Sequence, residues 1–278
     1  MFRRLQNVKL LSFVRCYTNV RKIRNVGIIA HIDAGKTTLT ERMLYYSGYL
    51  QSMGEVHTGD TVMDHTAQER ERGITISSAS ITFPWRDCRI NLIDTPGHVD
   101  FTMEVERSLR VLDGAIVLLD GSAGVEAQTM TVWRQAQRKR LPCIAFVNKM
   151  DKINADLDMT LESMRTKLGL EPLLIQVPVD DSQDHYKRTL DIVRMEEVQF
   201  DIESKGSSVT RIPIDETHQQ YEKTCSLRTQ LVEKLGDFDD EIAELFLNDA
   251  KVSIKDLESA LRRATLSSKA IGNVQFTS

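Results

Sequence analysis

The apolar run Val26 to Ile32 carries Ala30-His31-Ile32-Asp33-Ala34-Gly35-Lys36-Thr37-Thr38 at its end and passes directly into a helical stretch, Lys36 to Ser47. A strand, a loop of small residues and a helix in immediate succession leave few folds open. Small residues let consecutive backbone N–H groups curve around a phosphate at a helix start, Lys36 reaches the β and γ oxygens, and the Thr37 hydroxyl suits Mg²⁺. Ala30 stands where a first glycine is usual, and its methyl group is tolerated there with a negative φ.

The rest of the first half keeps the alternation that such a loop requires. Candidate strands are Val26 to Ile32, Ala79 to Phe83, Ile90 to Ile93, Ala115 to Leu119 and Cys143 to Val147. The helical stretches between and after them are Lys36 to Ser47, Phe101 to Leu112, Ala127 to Arg140 and Asp156 to Leu168. That order specifies an open, doubly wound α/β domain with a mostly parallel sheet and ligands at the carboxyl ends of its strands. The loops after those strands are therefore the place to look.

The third strand ends in Asp94-Thr95-Pro96-Gly97-His98. An Asp in that place holds Mg²⁺ through water, and the Gly97 N–H meets a γ-phosphate oxygen, so the loop responds to hydrolysis. His98 then stands to position the attacking water, although alone it reads as a polar loop histidine. The fifth strand ends in Asn148-Lys149-Met150-Asp151. The Asp151 carboxylate accepts from the N1–H and the exocyclic amine of guanine, a pair of donors that adenine does not present, while Lys149 lies along the base plane. This selects GTP over ATP. Between these loops, Arg72-Gly73-Ile74-Thr75-Ile76 follows the charged run Gln68-Glu69-Arg70-Glu71. Beside a phosphate loop, Thr75 becomes the switch residue whose hydroxyl and backbone meet Mg²⁺ and the γ-phosphate, with Ile32 and Ile74 flanking His98 to restrict water.

After Gly169 the character changes. Leu173 to Val179 reads as one more strand, residues 180–236 are polar with weak periodicity, and a helix follows near Asp239 to Asn248 with acids at its start. The segment is expected to be a small irregular or α+β insert.

Composition narrows the partners. The 278 residues carry 36 Lys plus Arg against 40 Asp plus Glu, but residues 1–24 hold seven of the bases and no acid, which leaves 29 against 40 for the remainder. An acidic body argues against a free-standing nucleic-acid binder held mainly by phosphate contacts, while a local basic patch remains able to dock on RNA. In the basic tail, Leu10, Phe13, Val14 and Tyr17 fall on one helical face, the pattern of a mitochondrial transit peptide; a basic disordered arm is the alternative. The longest apolar stretch, Gly114 to Leu119, is far short of the roughly 20 residues that span a bilayer. Cys16, Cys88, Cys143 and Cys225 lack zinc or redox spacing, and Cys143 is expected to pack as a small hydrophobe.

Ile23-Arg24-Asn25-Val26-Gly27-Ile28-Ile29 running into the phosphate loop, Glu69 to Ile76, Asp94 to Asp100 and Asn148 to Asp151 together resemble the GTP-binding domain of elongation factor G, over roughly residues 20–270. Two further stretches, Gly59 to Asp64 and Gly124 to Ala136, are more similar to the mitochondrial ribosome-recycling branch of that family than to its translocating branch. The resemblance implies a P-loop NTPase G domain, with a transit peptide at 1–22, a GTP-binding core at 23–170, an insert at 171–255 and a return to the core at 256–278. It implies a monomeric, ribosome-stimulated GTP hydrolase of the mitochondrial matrix that cycles between GTP and GDP with Mg²⁺. Its implied partners are the mitochondrial ribosome, ribosomal RNA within it, and ribosome recycling factor, with which it separates subunits after termination; no membrane is involved. Family roles carry over to Asp33, Gly35, Lys36 and Thr37, to Thr75 and His98, and to Asn148, Lys149 and Asp151. A family member continues after Leu261 to Leu266 into a last core strand, a Ser-Ala loop at the guanine and four more domains. Here that strand and loop are expected to be missing, as in a truncated isoform or fragment. Translocation by mitochondrial elongation factor G, or an inactive truncated GTP-binding product, are the alternative functions.

Overall fold

The computed structural model describes residues 20–51, 80–94, 102–179, 188–201, 203–267 and 271–275. Thr75, Thr95, Pro96, Gly97 and His98 lie outside the described residues, as do Ile74, the stretch 59–64 and the amphipathic tail.

The chain enters through one 3-10 turn, Val20–Lys22, and forms β1 (Ile23–Ala30) and α1 (Lys36–Tyr46). A hairpin of β2 (Ser80–Trp85) and β3 (Cys88–Asp94) leads to α2 (Thr102–Leu109), β4 (Gly114–Asp120), α3 (Ala127–Arg138) and β5 (Cys143–Asn148). Helix α4 (Leu157–Ser163) continues as a π-helical turn through Leu168. Its start is fixed by Asp156, whose carboxylate accepts from the Met159 N–H at 3.0 Å. The second half comprises β6 (Pro172–Leu174), β7 (Gln176–Pro178), β8 (Arg188–Asp191), β9 (Glu196–Phe200), β10 (Val209–Pro213), α5 (Tyr221–Gly236), α6 (Asp240–Leu247), α7 (Ile254–Leu266) and β11 (Ile271–Gln275).

Seven strands form one sheet in the order β2-β3-β1-β4-β5-β11-β6, parallel throughout except for β2 on β3. Successive residues of the central strands point to opposite faces, as the pleat requires. Ile28, Leu92 and Leu118 pack with Ile81, Phe83 and, from α1, Leu44; Ile29, Val117 and Leu119 pack with Trp133 and Ala136 of α3 and with Leu161 and Met164. A strand covered on both faces must be apolar along its covered length, which is why β4 reads Gly-Ala-Ile-Val-Leu-Leu before its terminal Asp120. Each wholly buried Ile or Leu stabilises the fold by about 1.5–3 kcal/mol relative to exposure. Cys143 packs among them, donating to the Leu141 carbonyl at 3.3 Å, and burial pushes its thiol up to about 12.

The expectation of a missing last strand is corrected here. Residues 271–275 form a parallel strand, with Gly272 opposite Ile144 on one side and Leu173 on the other. It is an interior strand of the sheet, between β5 and β6. The expected single strand Leu173 to Val179 is likewise two strands in two sheets: β6 belongs to the large sheet, and β7 begins a four-stranded antiparallel sheet of order β10-β9-β8-β7. The change of sheet falls at Ile175, inside the segment assigned to the insert from residue 171.

A separate core lies at the small sheet. Val177, Leu190 and Ile192 pack against Leu231 and Leu235 of α5, Ile242 of α6, and Leu257 and Leu261 of α7, with Leu173 contributed by the large sheet. Ser253 and Asp256 start α7 by exchanging hydrogen bonds in a capping box.

Candidate functional site

Four parallel strands end at one edge in Ala30, Asp94, Asp120 and Asn148. Their alignment is set by register: Ile28 lies opposite Asp94, Ala30 opposite Leu118, and Asp120 opposite Asn148. The chain leaves β1 toward β3 on one side and reaches β4 on the other, so the crevice above β1 is a switch point of the topology.

Helix α1 opens over that crevice. Its cap residue, Gly35, has φ 94° and makes no side-chain cap, so no cap side chain covers the first turn of backbone N–H groups, as an anion site needs. Asp33 precedes it at φ 60°, a left-handed conformation that Asp tolerates better than most residues. Ala30 and Ala34 are buried and join the loop to the core under α1, and Thr38 is exposed on the helix.

The loop after β5 grips the loop after β1. Asn148 donates from Nδ2 to the Ala34 carbonyl at 2.9 Å, and the Lys149 ammonium donates to the Asp33 carbonyl. Lys149 holds φ 58°, an unusual conformation for a long side chain and one that tends to persist where function requires it. Met150 turns inward: its thioether is buried, and a Cβ placed on Gly121 would stand 2.5 Å from its sulfur. Asp151 is exposed at the rim. Of the residues read from the sequence, Asn148, Lys149, Asp33, Ala34 and Gly35 are therefore brought together directly, and Met150 supports them from beneath.

A second set of contacts was not read from the sequence. The Ile32 N–H donates to Gln128 Oε1 at 3.3 Å, and His31 Nε2 lies 2.8 Å from Glu126 Oε2. The start of α3 thus braces the phosphate loop opposite the β5 side. Asp120 accepts from the Ser122 N–H at 2.9 Å and the Ser122 hydroxyl at 2.5 Å, and it pairs with Lys152 at 2.9 Å and Lys149 at 3.2 Å. Burial alone would push its carboxyl up, but the Ser122 and lysine donors together hold it far below the usual carboxylate range. An acid closing the buried apolar strand β4 was the available signal.

Among the described residues no helix is long and apolar enough to cross a membrane, and no group of three or more His, Cys, Asp or Glu side chains forms a metal-ligand cluster.

Residues 21–264 match the elongation factor Tu GTP-binding domain family. The chain is 52% identical over 260 residues to the protein named mitochondrial ribosome-releasing factor 2 from Bos taurus, covering 91% of this chain and 33% of that protein. The protein of the same name from Drosophila pseudoobscura pseudoobscura is 49% identical over 275 residues, 97% of this chain and 36% of that one. A crystal structure of a Thermus thermophilus protein superposes with a TM-score of 0.81 at 26% identity, covering 92% of this chain and 37% of that chain. The chain thus spans about a third of the length of the curated relatives it matches.

Proposed function

Since the chain belongs to the elongation factor Tu GTP-binding domain family, we propose that it binds GTP and hydrolyses it in the service of ribosome release in mitochondria. The observation that carries this reading is the joint between the loops after β1 and β5, where Asn148 and Lys149 hold the carbonyls of Ala34 and Asp33. A base read by Asp151 and a polyphosphate wrapped by residues 30–38 are then parts of one rigid cradle. Lys36 neutralises the β and γ oxygens, and Asp151 selects guanine.

The donor set suits a hard divalent cation. Thr37, second residue of α1, and Asp94, last residue of β3, would hold such a cation, Asp94 through water, with Thr75 as a further oxygen donor. Mg²⁺ would supply charge neutralisation between the β and γ phosphates. His98 orients the attacking water, so that positioning and electrostatics supply the rate enhancement without a covalent intermediate.

The partners are inferred from the relatives. Their name, ribosome-releasing factor, supports the mitochondrial ribosome as the partner; ribosome recycling factor is added on the resemblance to the elongation factor G family, and residues 1–22 are proposed to direct the chain to the matrix. GTP turnover measured with and without mitochondrial ribosomes tests the proposal. Stimulation is expected, whereas GTP binding with no turnover under either condition would leave a nucleotide-binding module in place of an enzyme. A reporter fused to residues 1–30 should enter mitochondria; retention in the cytosol would remove the leader from this account.

A further inference from the structure

We propose that Asp120 is a positioning residue for guanine-nucleotide binding, acting through Lys149; this rests on the guanine reading given above. The Lys149 ammonium has two anchors: the Asp120 carboxylate at the end of β4 and the Asp33 carbonyl in the phosphate loop. Its side chain is one-quarter exposed and that of Asp120 only 11% exposed, so the ion pair is shielded from most of the screening that weakens surface pairs. The carboxylate is itself fixed by both Ser122 donors and cannot follow a wandering lysine. A long side chain that would otherwise sample many rotamers is thereby held in one pose before the base arrives, which lowers the ordering cost of binding.

Two neighbours make the idea separable from simple stability. Lys152 contacts the same carboxylate at 2.9 Å, yet among the described residues its ammonium bonds Asp120 and Ser122 and not the phosphate loop. The β5 loop also has supports that do not use the carboxylate: the Gly121 N–H donates to the Asn148 carbonyl at 2.8 Å, and Met150 is buried against Gly121. Asp120→Asn should therefore leave the loop docked while releasing Lys149.

The test is a double-mutant cycle on the full chain, read by titration and displacement of a fluorescent GDP analogue. Asp120→Asn is expected to weaken GDP about tenfold, chiefly through faster dissociation, with unchanged preference for guanine over xanthine and a melting temperature close to the parent's. Lys149→Ala should weaken it at least as much, and adding Asp120→Asn to Lys149→Ala should change affinity by less than about twofold. Lys152→Ala should stay within about twofold of the parent. Parent-like affinity in Asp120→Asn, or a double variant that loses the product of the two single effects, would overturn the proposal. Should Asp120→Asn fail to fold, Asp120→Glu carries the same cycle, since it keeps the charge while displacing the ammonium. A parent chain that binds no guanine nucleotide would bring down the guanine reading and this proposal with it, an outcome distinct from the others.

Discussion

Gly35 and Asn148 stand so close that a Cβ on the glycine would lie 2.3 Å from Asn148 Nδ2, the atom that donates to the Ala34 carbonyl. The glycine is demanded twice, by this approach and by its φ of 94°. Gly35→Ala must either push Asn148 off the phosphate loop or leave the left-handed region. It should cost about 1 kcal/mol of stability from backbone strain and weaken GDP binding by more than about tenfold. Urea unfolding and nucleotide titration on the same variant check both numbers; an alanine variant that binds like its parent would show that the loop relaxes freely.

Base selection is expected to follow Asp151 alone. Asp151→Asn replaces two acceptor positions by one acceptor and one donor, which suits xanthine better than guanine. Competition among GTP, XTP and ATP should show guanine affinity falling and xanthine affinity rising. Equal binding of ATP and GTP by the unaltered chain would sink the assignment of this loop.

Binding and turnover should separate between Lys36 and His98. In a chain with the full length of its relatives, His98→Ala should leave GDP affinity nearly intact and slow ribosome-stimulated single-turnover hydrolysis by at least about a hundredfold, the scale of a lost water-orienting group. Lys36→Ala should lose affinity first. Identical single-turnover rates for His98→Ala and its parent would exclude the histidine from the mechanism.

Acid should loosen the second half of the chain. Arg263 donates to both oxygens of Asp239, at 2.6 and 2.9 Å, and holds its carboxyl below the usual range; at Glu171, Lys234 and Arg165 do the same against the opposing effect of burial. A carboxyl depressed on folding contributes stability that is complete above its unfolded value of about 4 and is lost as pH falls through the folded value. The chain should therefore unfold at lower urea concentration at acid pH than at neutral pH. Asp239→Asn, which also weakens the cap on the Ile242 N–H, should cost about 2 kcal/mol near pH 7 and make that dependence shallower. An unchanged pH profile would mean that the Arg263 pair is not part of it.

The sequence made the nucleotide side of the fold legible because parallel strands buried on both faces have no choice but to be apolar. The ends of β1 and β5 could be placed for that reason, and with them the loops that begin at Ala30 and Asn148; β3 carries Arg89 and Asn91 and is marked instead by the Asp94-Thr95-Pro96-Gly97-His98 run that follows Ile93. The insert hid because its buried positions are partly charged. Glu197 in β9 is buried and is met by Arg188 at 3.2 Å and His218 at 3.3 Å, a solution that leaves no alternating apolar pattern to read. In α5 the buried positions are Thr224, Leu231, Val232 and Leu235, so its first two turns look like polar loop. Strand β11 carries Gly272, Asn273 and Gln275 and reveals itself only through its register with β5 and β6. Helix α7 was within reach, since Ser253 and Asp256 form a capping box ahead of Leu257, Ala260, Leu261 and Ala264.

Only Ile175 separates the end of β6 in the large sheet from the start of β7 in the small one, and its carbonyl is already engaged by the Ile192 N–H at 3.0 Å. A cassette hung on a tether can tilt against its host; this one is welded. A load applied to the small sheet or its helices has no slack to dissipate in, and it passes along the backbone into β6, across to β11 and so to β5, whose last residue grips the phosphate loop. Swapping the insert with a relative's would therefore mean cutting through a sheet, and the seam, unlike a linker, would have to be rebuilt residue by residue.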